Sequence, residues 1–495
     1  MKTNKFLVMA AMALGLGVFA ACSNDDEPNV SESKGNTYVG VTISFPGMQT
    51  RASLPEDYHS KGKWEGRDKI EQITVFMVNK ENNVVDYTSF DESAFEEING
   101  GILKPTLAVK ATKGHKVKSF VVINDKKDII TSKLKKTSAT NFETEFAEAK
   151  KAIASEVATT NELKDIILMT NNEAPTELTV EQAKKSEAID GTKNQCKVSV
   201  ERIVARGILT MSKDILTKKV LVKKQGTNKV VSEVNITEVK YGIGQGNTKF
   251  FIMKKNTYET PDPVYTYNPA TSSDWKDKNT TYFDYKGLEL SNFSEVQAID
   301  NNTIENVKNA LNKEDKSKFA LPVTHTDDNY KKGNTTFFEV QVKFTPTDES
   351  FAVGEKEKLN GSTTYYLGMN DGKFYQSRAA AAAVGGQKVT EYKNGTMKYV
   401  LWLNPDKVPG AEEGKIAKVS PTVRNQVYHA HIKGFKEIGL PNNPLNPDDP
   451  NNNENPENPI NPNDPLETES TYLSVSITVL EWGMHSYEVD LGNDY

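Results

Sequence analysis

Thr471-Tyr-Leu-Ser-Val-Ser-Ile-Thr-Val479, near the C-terminus, has a near-copy at the other end of the chain, Thr37-Tyr-Val-Gly-Val-Thr-Ile-Ser-Phe45. Thr, Tyr, Val and Ile coincide at Thr37/Thr471, Tyr38/Tyr472, Val41/Val475 and Ile43/Ile477, with small or apolar exchanges between them. Both stretches alternate strictly. Val39, Val41, Ile43 and Phe45 share one face of the first, and Leu473, Val475, Ile477 and Val479 share one face of the second, the pattern of half-buried strands. Two strands this alike can compete for one slot, a groove that one leaves and the other fills.

A chain of 495 residues is long enough for two or three domains. The net charge of -6 is spread over interspersed Lys, Arg, Asp and Glu, so no single-sign field points to nucleic acid. Short runs rich in Tyr, Phe, Thr and Val favour strands over long helices. Lys2 and Lys5 precede an apolar run, Phe6 to Ala20, that is too short to span a bilayer but suits a secretory signal. The run ends in Phe19-Ala20-Ala21-Cys22, which resembles a bacterial lipobox with Phe19 where an aliphatic residue is usual. Residues 1–21 are therefore expected to be a lipoprotein signal peptide, and the Cys22 thiol to take lipid. With two cysteines in all, that leaves Cys196 as a buried bystander without a disulfide.

Residues 22–51 read as a propeptide containing the strand 37–45. Pro46 to Pro55 is an exposed loop bracketed by Pro and Gly, the kind of segment that proteases cut. Cleavage between Arg51 and Ala52 would separate the first copy from everything downstream. Residues 52–216 are expected to form a first domain. Its strands are Ile73–Val78 and Val117–Ile123, and a helix begins near Asn141 with Phe142, Phe146, Ala149 and Ile153 on one face. A second helix covers Thr179 to Ile189, and one long strand runs from Cys196 to Leu209. Residues 217–440 form a second domain whose best strand is Thr335–Phe344. Phe338, Val340, Val342 and Phe344 point inward there, and Glu339, Gln341 and Lys343 outward. Met397–Leu403 and Arg424–Ile432 are further strands. Turn-separated strands with few helices predict antiparallel β-sandwiches. Ala379 to Ala383 reads as a loop with a short helical turn.

Residues 441–470 carry prolines at 441, 444, 447, 450, 456, 459, 462 and 465 among Asn, Asp and Glu. This composition predicts an extended tether that buries no core, with a reach of about 90 Å at ~3.1 Å per residue. Residues 471–495 are then a tethered donor segment, free to dock on another subunit by strand addition. Such contacts are head-to-tail and build filaments. Leu473, Val475, Ile477 and Val479 would each contribute roughly 1.5–3 kcal/mol in a groove.

No catalytic centre is legible. His429 and His431 lie on one strand face with no third ligand nearby in sequence, the arrangement of a surface or cross-strand pair rather than a metal site. Gly242-Ile-Gly-Gln-Gly246 lacks the spacing of a dinucleotide loop and reads as a turn or bulge. Neither a cofactor nor a metal is expected.

Trp64-Glu-Gly-Arg-Asp-Lys-Ile-Glu71, Lys197–Arg206, Leu321-Pro-Val-Thr-His325, Gly333-Asn-Thr335, Tyr428-His-Ala-His-Ile-Lys433, Val479-Leu-Glu-Trp482 and His485–Leu491 resemble the major subunit of short fimbriae in the Bacteroidetes-type fimbrillin family. The resemblance spans nearly the whole chain. It implies a lipoprotein precursor with two transthyretin-like β-sandwich domains, held in the outer membrane by its lipid and trimmed at Arg51/Ala52 by an arginine-specific, gingipain-type protease. It implies polymerisation with other copies of itself through a donor segment, Thr471 to Trp482. It also implies minor tip and anchor subunits as partners, and adhesion to host or bacterial surface receptors in biofilms. The alternative from another class is a monomeric surface lipoprotein that binds glycans or peptides, with its C-terminal strand folded back on its own domain.

Overall fold

β1 (Thr37–Ser44) forms where the alternation places it, with Val39, Val41 and Ile43 buried and Tyr38, Thr42 and Ser44 partly exposed. The structure, a computed structural model, describes residues 35–44, 60–64, 66–98, 102–105, 108–255, 258–261, 279–326, 329–403, 421–466, 473–481 and 484–491. Cys22, Phe45, Arg51, Ala52 and Trp482 lie outside them.

The fold is mainly β. The first sheet draws on β1, β3 (Gln72–Asn79), β4 (Val84–Asp91), β5 (Phe95–Ile98), β6 (Ile102–Pro105), β7 (Val109–Ala111), β8 (Lys116–Ile123), β9 (Met169–Asn171) and β10 (Gln195–Arg202); β2 (Ser60–Lys63) belongs to the second sheet. Its order is β4-β3-β8-β9-β10-β1-β6-β5, with β7 also pairing β1. The core under this sheet is closed by α1 (Ala139–Phe146), whose Phe142 ring lies 5.2 Å from Phe76 and 5.1 Å from Phe120. α1 stops two turns earlier than its periodicity suggests, because Ala149–Lys151 pairs antiparallel with Lys249–Phe251 and takes the backbone out of the helix. Of the helix expected over 179–189, only α2 (Lys185–Ile189) forms.

The stretch 196–209 is not one strand. It bends at the buried Ile203 and Val204 and continues as β11 (Ala205–Ser212) in a different sheet. There β11 runs parallel to β14 (Gln297–Ile299) and to β17 (Gln426–Phe435). A ten-residue helix, α3 (Ile304–Lys313), follows β14 and buries Val307, Ala310 and Leu311. A third sheet, β12-β13-β15-β16, is antiparallel and contains β12 (Lys219–Lys223), β13 (Val230–Gly244), β15 (Phe337–Pro346) and β16 (Thr396–Trp402). Gly242 and Gly244 lie at the end of β13, and Gln245, at φ 59°, turns the chain beyond it. Ala379–Ala383 contributes to a short helix, Arg378–Ala382.

On β15, Phe338, Val340, Val342 and Phe344 enter the core, whereas Glu339, expected at the surface, is fully buried. The cover over it is residues 441–466, which do not form an extended tether. Leu445, Ile460 and Leu466 are buried in one apolar cluster with Phe337, Val400 and Trp402. The three-residue proline spacing explains this folding. In five of the seven Asx-Pro-x units the Asx side chain accepts from the backbone N–H two residues on: Leu445 to Asn443 (3.0 Å), Asp448 to Asn446 (3.1 Å), Asn451 to Asp449 (2.9 Å), Ile460 to Asn458 (3.0 Å) and Asn463 to Asn461 (3.0 Å). Carbonyls of Asn443, Asn446, Asp449 and Asn461 accept from the residue three on, at 3.0–3.1 Å. Proline fixes φ at the second position of each turn, and the amide side chain supplies the acceptor that a regular element would provide.

Candidate assembly site

β1 is an interior strand. It runs parallel to β10 on one edge, from Gly40↔Gln195 to Ser44↔Ser199. On its other edge it pairs antiparallel with β7 at Thr37–Val39 and with β6 at Ile43–Ser44. Removing it would leave a slot with two backbone lips and a floor of core residues, since Val39, Val41 and Ile43 pack in the cluster that holds Val75, Phe120 and Val198.

Polar contacts fix its N-terminal end. Thr37 Oγ1 donates toward the Glu181 and Ala183 carbonyls (3.0 and 3.2 Å) and accepts from Ala183 N–H (2.8 Å). Asn194 Nδ2 donates to Tyr38 O (2.9 Å), and Gly40 N–H donates to Asn194 O (3.0 Å). Gln195, with its amide turned to satisfy both ends, bridges Thr42 and the Ala188 carbonyl. At Gly40, α2 comes so close that an added Cβ would lie 1.9 Å from the Ala188 carbonyl oxygen. The C-terminal copy carries Ser474 at the equivalent position.

The C-terminal segment folds as a hairpin on its own chain. β18 (Leu473–Glu481) pairs antiparallel with β19 (Met484–Leu491), which runs parallel to β17, and β2 lies parallel to β18. Leu473, Val475, Ile477 and Val479 thus lie on β18, away from the slot that holds Val39, Val41 and Ile43. The structure does not bring the two copies together.

Immediately after β2 the chain is anchored by a buried ionic cluster. Arg67 donates to both carboxylate oxygens of Asp165 (3.2 and 3.3 Å) and to Asn312 O (3.2 Å). The fully buried Arg206 pairs with Asp165 and with Glu314 (3.0 Å), and stacks its guanidinium 4.7 Å from the Trp64 ring. Trp64 Nε1 donates to Asn312 Oδ1 (3.0 Å). Trp64, Arg67 and Arg206 stood in the sequence only as part of a resemblance, and Asp165, Asn312 and Glu314 were not singled out; the usable signal was Arg206 inside the apolar stretch 203–209.

The histidines serve packing. Thr210 Oγ1 lies 2.8 Å from both His429 Nε2 and His431 Nδ1, and Ser212 Oγ lies 3.2 Å from His431 Nε2. Burial holds both imidazoles neutral, His429 well below the usual histidine range and His431 at about 4. Among the described residues no group of three His, Cys, Asp or Glu could hold a metal. Cys196 is buried, and burial pushes its thiol up to about 12.

Residues 390–488 match the family described as major fimbrial subunit protein type IV, fimbrillin, C-terminal. Two sequences named minor fimbrium subunit Mfa1, from Porphyromonas gingivalis, are each 28% identical over 99% of this chain and 100% of their own length. Among solved structures, a fimbrilin from Porphyromonas gingivalis W83 aligns at 13% identity and a TM-score of 0.41, covering 92% of this chain and 98% of its own. A putative cell adhesion protein from Parabacteroides distasonis aligns at 12% and 0.42, covering 92% and 100%. The proteins that the chain matches in sequence are thus structural subunits of fimbriae. Nearly the whole chain is similar to the two Mfa1 sequences, and residues 390–488 match the fimbrillin C-terminal family.

Proposed function

We propose that the chain is a shaft-type subunit that polymerises head to tail, with the strand beginning at Thr471 of one copy taking the slot that β1 holds in the next. The observation that carries this reading is that β1 is hydrogen-bonded on both edges yet joins the rest of the described chain only through residues 45–59, which contain Arg51. Cleavage after Arg51 would leave Ala52 onward attached to a body already fixed by Trp64, Arg67 and Arg206. Losing β1 would uncover Val39, Val41 and Ile43, about 1.5–3 kcal/mol each, along with its ladder bonds. An incoming strand of the same alternation and direction recovers them.

On this reading residues 1–21 direct export, Cys22 carries lipid to the outer membrane, and an arginine-specific protease releases 22–51. Residues 52–216 and 217–440 are the two sandwich domains, and tip and anchor subunits cap the fibre, which serves adhesion. An Arg51→Ala precursor is expected to stay monomeric where the trimmed wild type gives heat-resistant oligomer ladders on denaturing gels. Equal ladders would overturn the trimming step. Deleting Thr471–Tyr495 should leave folded monomers, and continued fibre growth would exclude this donor.

A second reading is favoured by the docking of β18 and β19 on the chain's own sheet. It is a monomeric surface lipoprotein for glycans or peptides. Size-exclusion chromatography of the trimmed protein separates the two, since only the first elutes as polymers.

A further inference from the structure

Glu339, Lys398 and Asp449 meet beneath the proline-rich cover in a dry contact. Lys398 Nζ lies 2.6 Å from Asp449 Oδ2 and 3.2 Å from Glu339 Oε1, with the three side chains 8%, 0% and 0% exposed. The surroundings fix each group. Glu339 on β15 lies diagonally across from Lys398 on β16, whose register partner is Gln341, and the Lys398 main chain bridges Leu440 in both directions at 2.7 and 2.8 Å. Asn443 Nδ2 and Gln341 Nε2 donate to the Glu339 carboxylate at 2.7 and 2.8 Å. Asp449 accepts from two backbone N–H groups, Asn443 to Oδ2 (2.6 Å) and Asn451 to Oδ1 (2.9 Å).

A buried amine against a carboxyl, with a second carboxyl in reach of the nitrogen and two N–H groups on the carboxyl oxygens, contains the parts of an acyl-transfer site. We propose that Lys398 and Asp449 join in an intramolecular isopeptide bond, with Glu339 as the catalytic proton carrier. One positive charge faces two carboxyls, so one carboxyl takes a proton. Burial raises Asp449, and although burial also pulls Lys398 down, its two carboxyl neighbours outweigh this and raise it. The reaction starts from the Lys398 ammonium, the Glu339 carboxylate and a protonated Asp449. Glu339 takes one proton from Nζ, and the freed lone pair attacks Asp449 Cγ while the backbone N–H on the oxygen that stays stabilises the oxyanion, the other N–H holding the oxygen that leaves. A second proton passes from nitrogen to the leaving hydroxyl, the C–O bond breaks and water departs. The third proton remains on the amide nitrogen, and the one taken first stays on Glu339, so charge and atoms balance.

The bond concerns a single folded chain and does not depend on strand exchange. Its consequence for a fibre is mechanical, because it ties the segment that leads to the C-terminal hairpin covalently to β16.

Tryptic digestion of the folded full chain and tandem mass spectrometry test it. No Lys or Arg occurs between 437 and 495. The expected product is residues 394–407, uncleaved after Lys398, joined to 437–495 at one water less than the sum of the two peptides. Lys398→Arg and Glu339→Gln should each release the two segments unlinked. Unlinked wild-type peptides from folded protein would overturn the proposal, and so would a link that persists at full yield in Glu339→Gln.

Discussion

Gly40 and Ser474 occupy equivalent positions in the two copies and differ in the one respect the slot senses. Ala188 O would lie 1.9 Å from a Cβ at Gly40, so a serine entering in the same register must displace α2. Gly40→Ala should lower precursor stability by roughly 1–3 kcal/mol, read as a fall in melting temperature. Conversely, Ser474→Gly should give fibres that resist SDS to a higher temperature than wild type; unchanged resistance would show that the donor enters in another register. His431 makes a second prediction at this scale. Its imidazole titrates at about 4 in the fold and near 6.5 when unfolded, so the unfolded chain binds the extra proton between those values. Stability is therefore fully present above about pH 6.5 and falls as pH drops toward 4. His431→Asn should make that part of a melting-temperature profile shallower, leaving the share that the neutral His429 contributes, apart from its fixed cost in lost hydrogen bonds.

The element that most changes the picture is 441–466. Composition alone made it a solvated tether, because Pro, Asn, Asp and Glu bury little apolar surface. Its few apolar residues, Leu445, Ile460 and Leu466, are nevertheless buried, and its turns meet their own hydrogen-bonding needs. The readable signal was proline every third residue with Asn or Asp before it; what could not be read was the apolar patch on the outer face of β15 and β16 that receives it. Asn446→Ala removes the acceptor for Asp448 N–H and should cost about 1 kcal/mol, seen as faster proteolysis within 441–466 than in wild type. Leu445→Ala should cost more, about 2–5 kcal/mol.

For the whole molecule, docking of this segment up to Leu466 shortens the donor's free reach. Residues 467–472 can span at most ~25 Å, against the ~90 Å of an extended 30-residue tether. A neighbour's slot must then lie close to Leu466. Deleting Glu467–Ser470 should abolish polymers while leaving a monomer with wild-type circular dichroism. Polymers from that deletion would show that 441–466 undocks during assembly.

The strands themselves were legible wherever alternation is strict, as in β1 and β15, because a period of two leaves one face for the core whatever the sheet order. The duplicated segment and the sheltered Cys196 followed from the sequence for the same local reasons. Partner and place were decided only in three dimensions. The bend at Ile203–Val204 sends β11 into another sheet, Glu339 is buried by residues that are distant in sequence, and β18 pairs with β19 rather than entering the slot of β1. Each depends on which surface arrives opposite a given face, a non-local contact that no periodicity along the chain encodes.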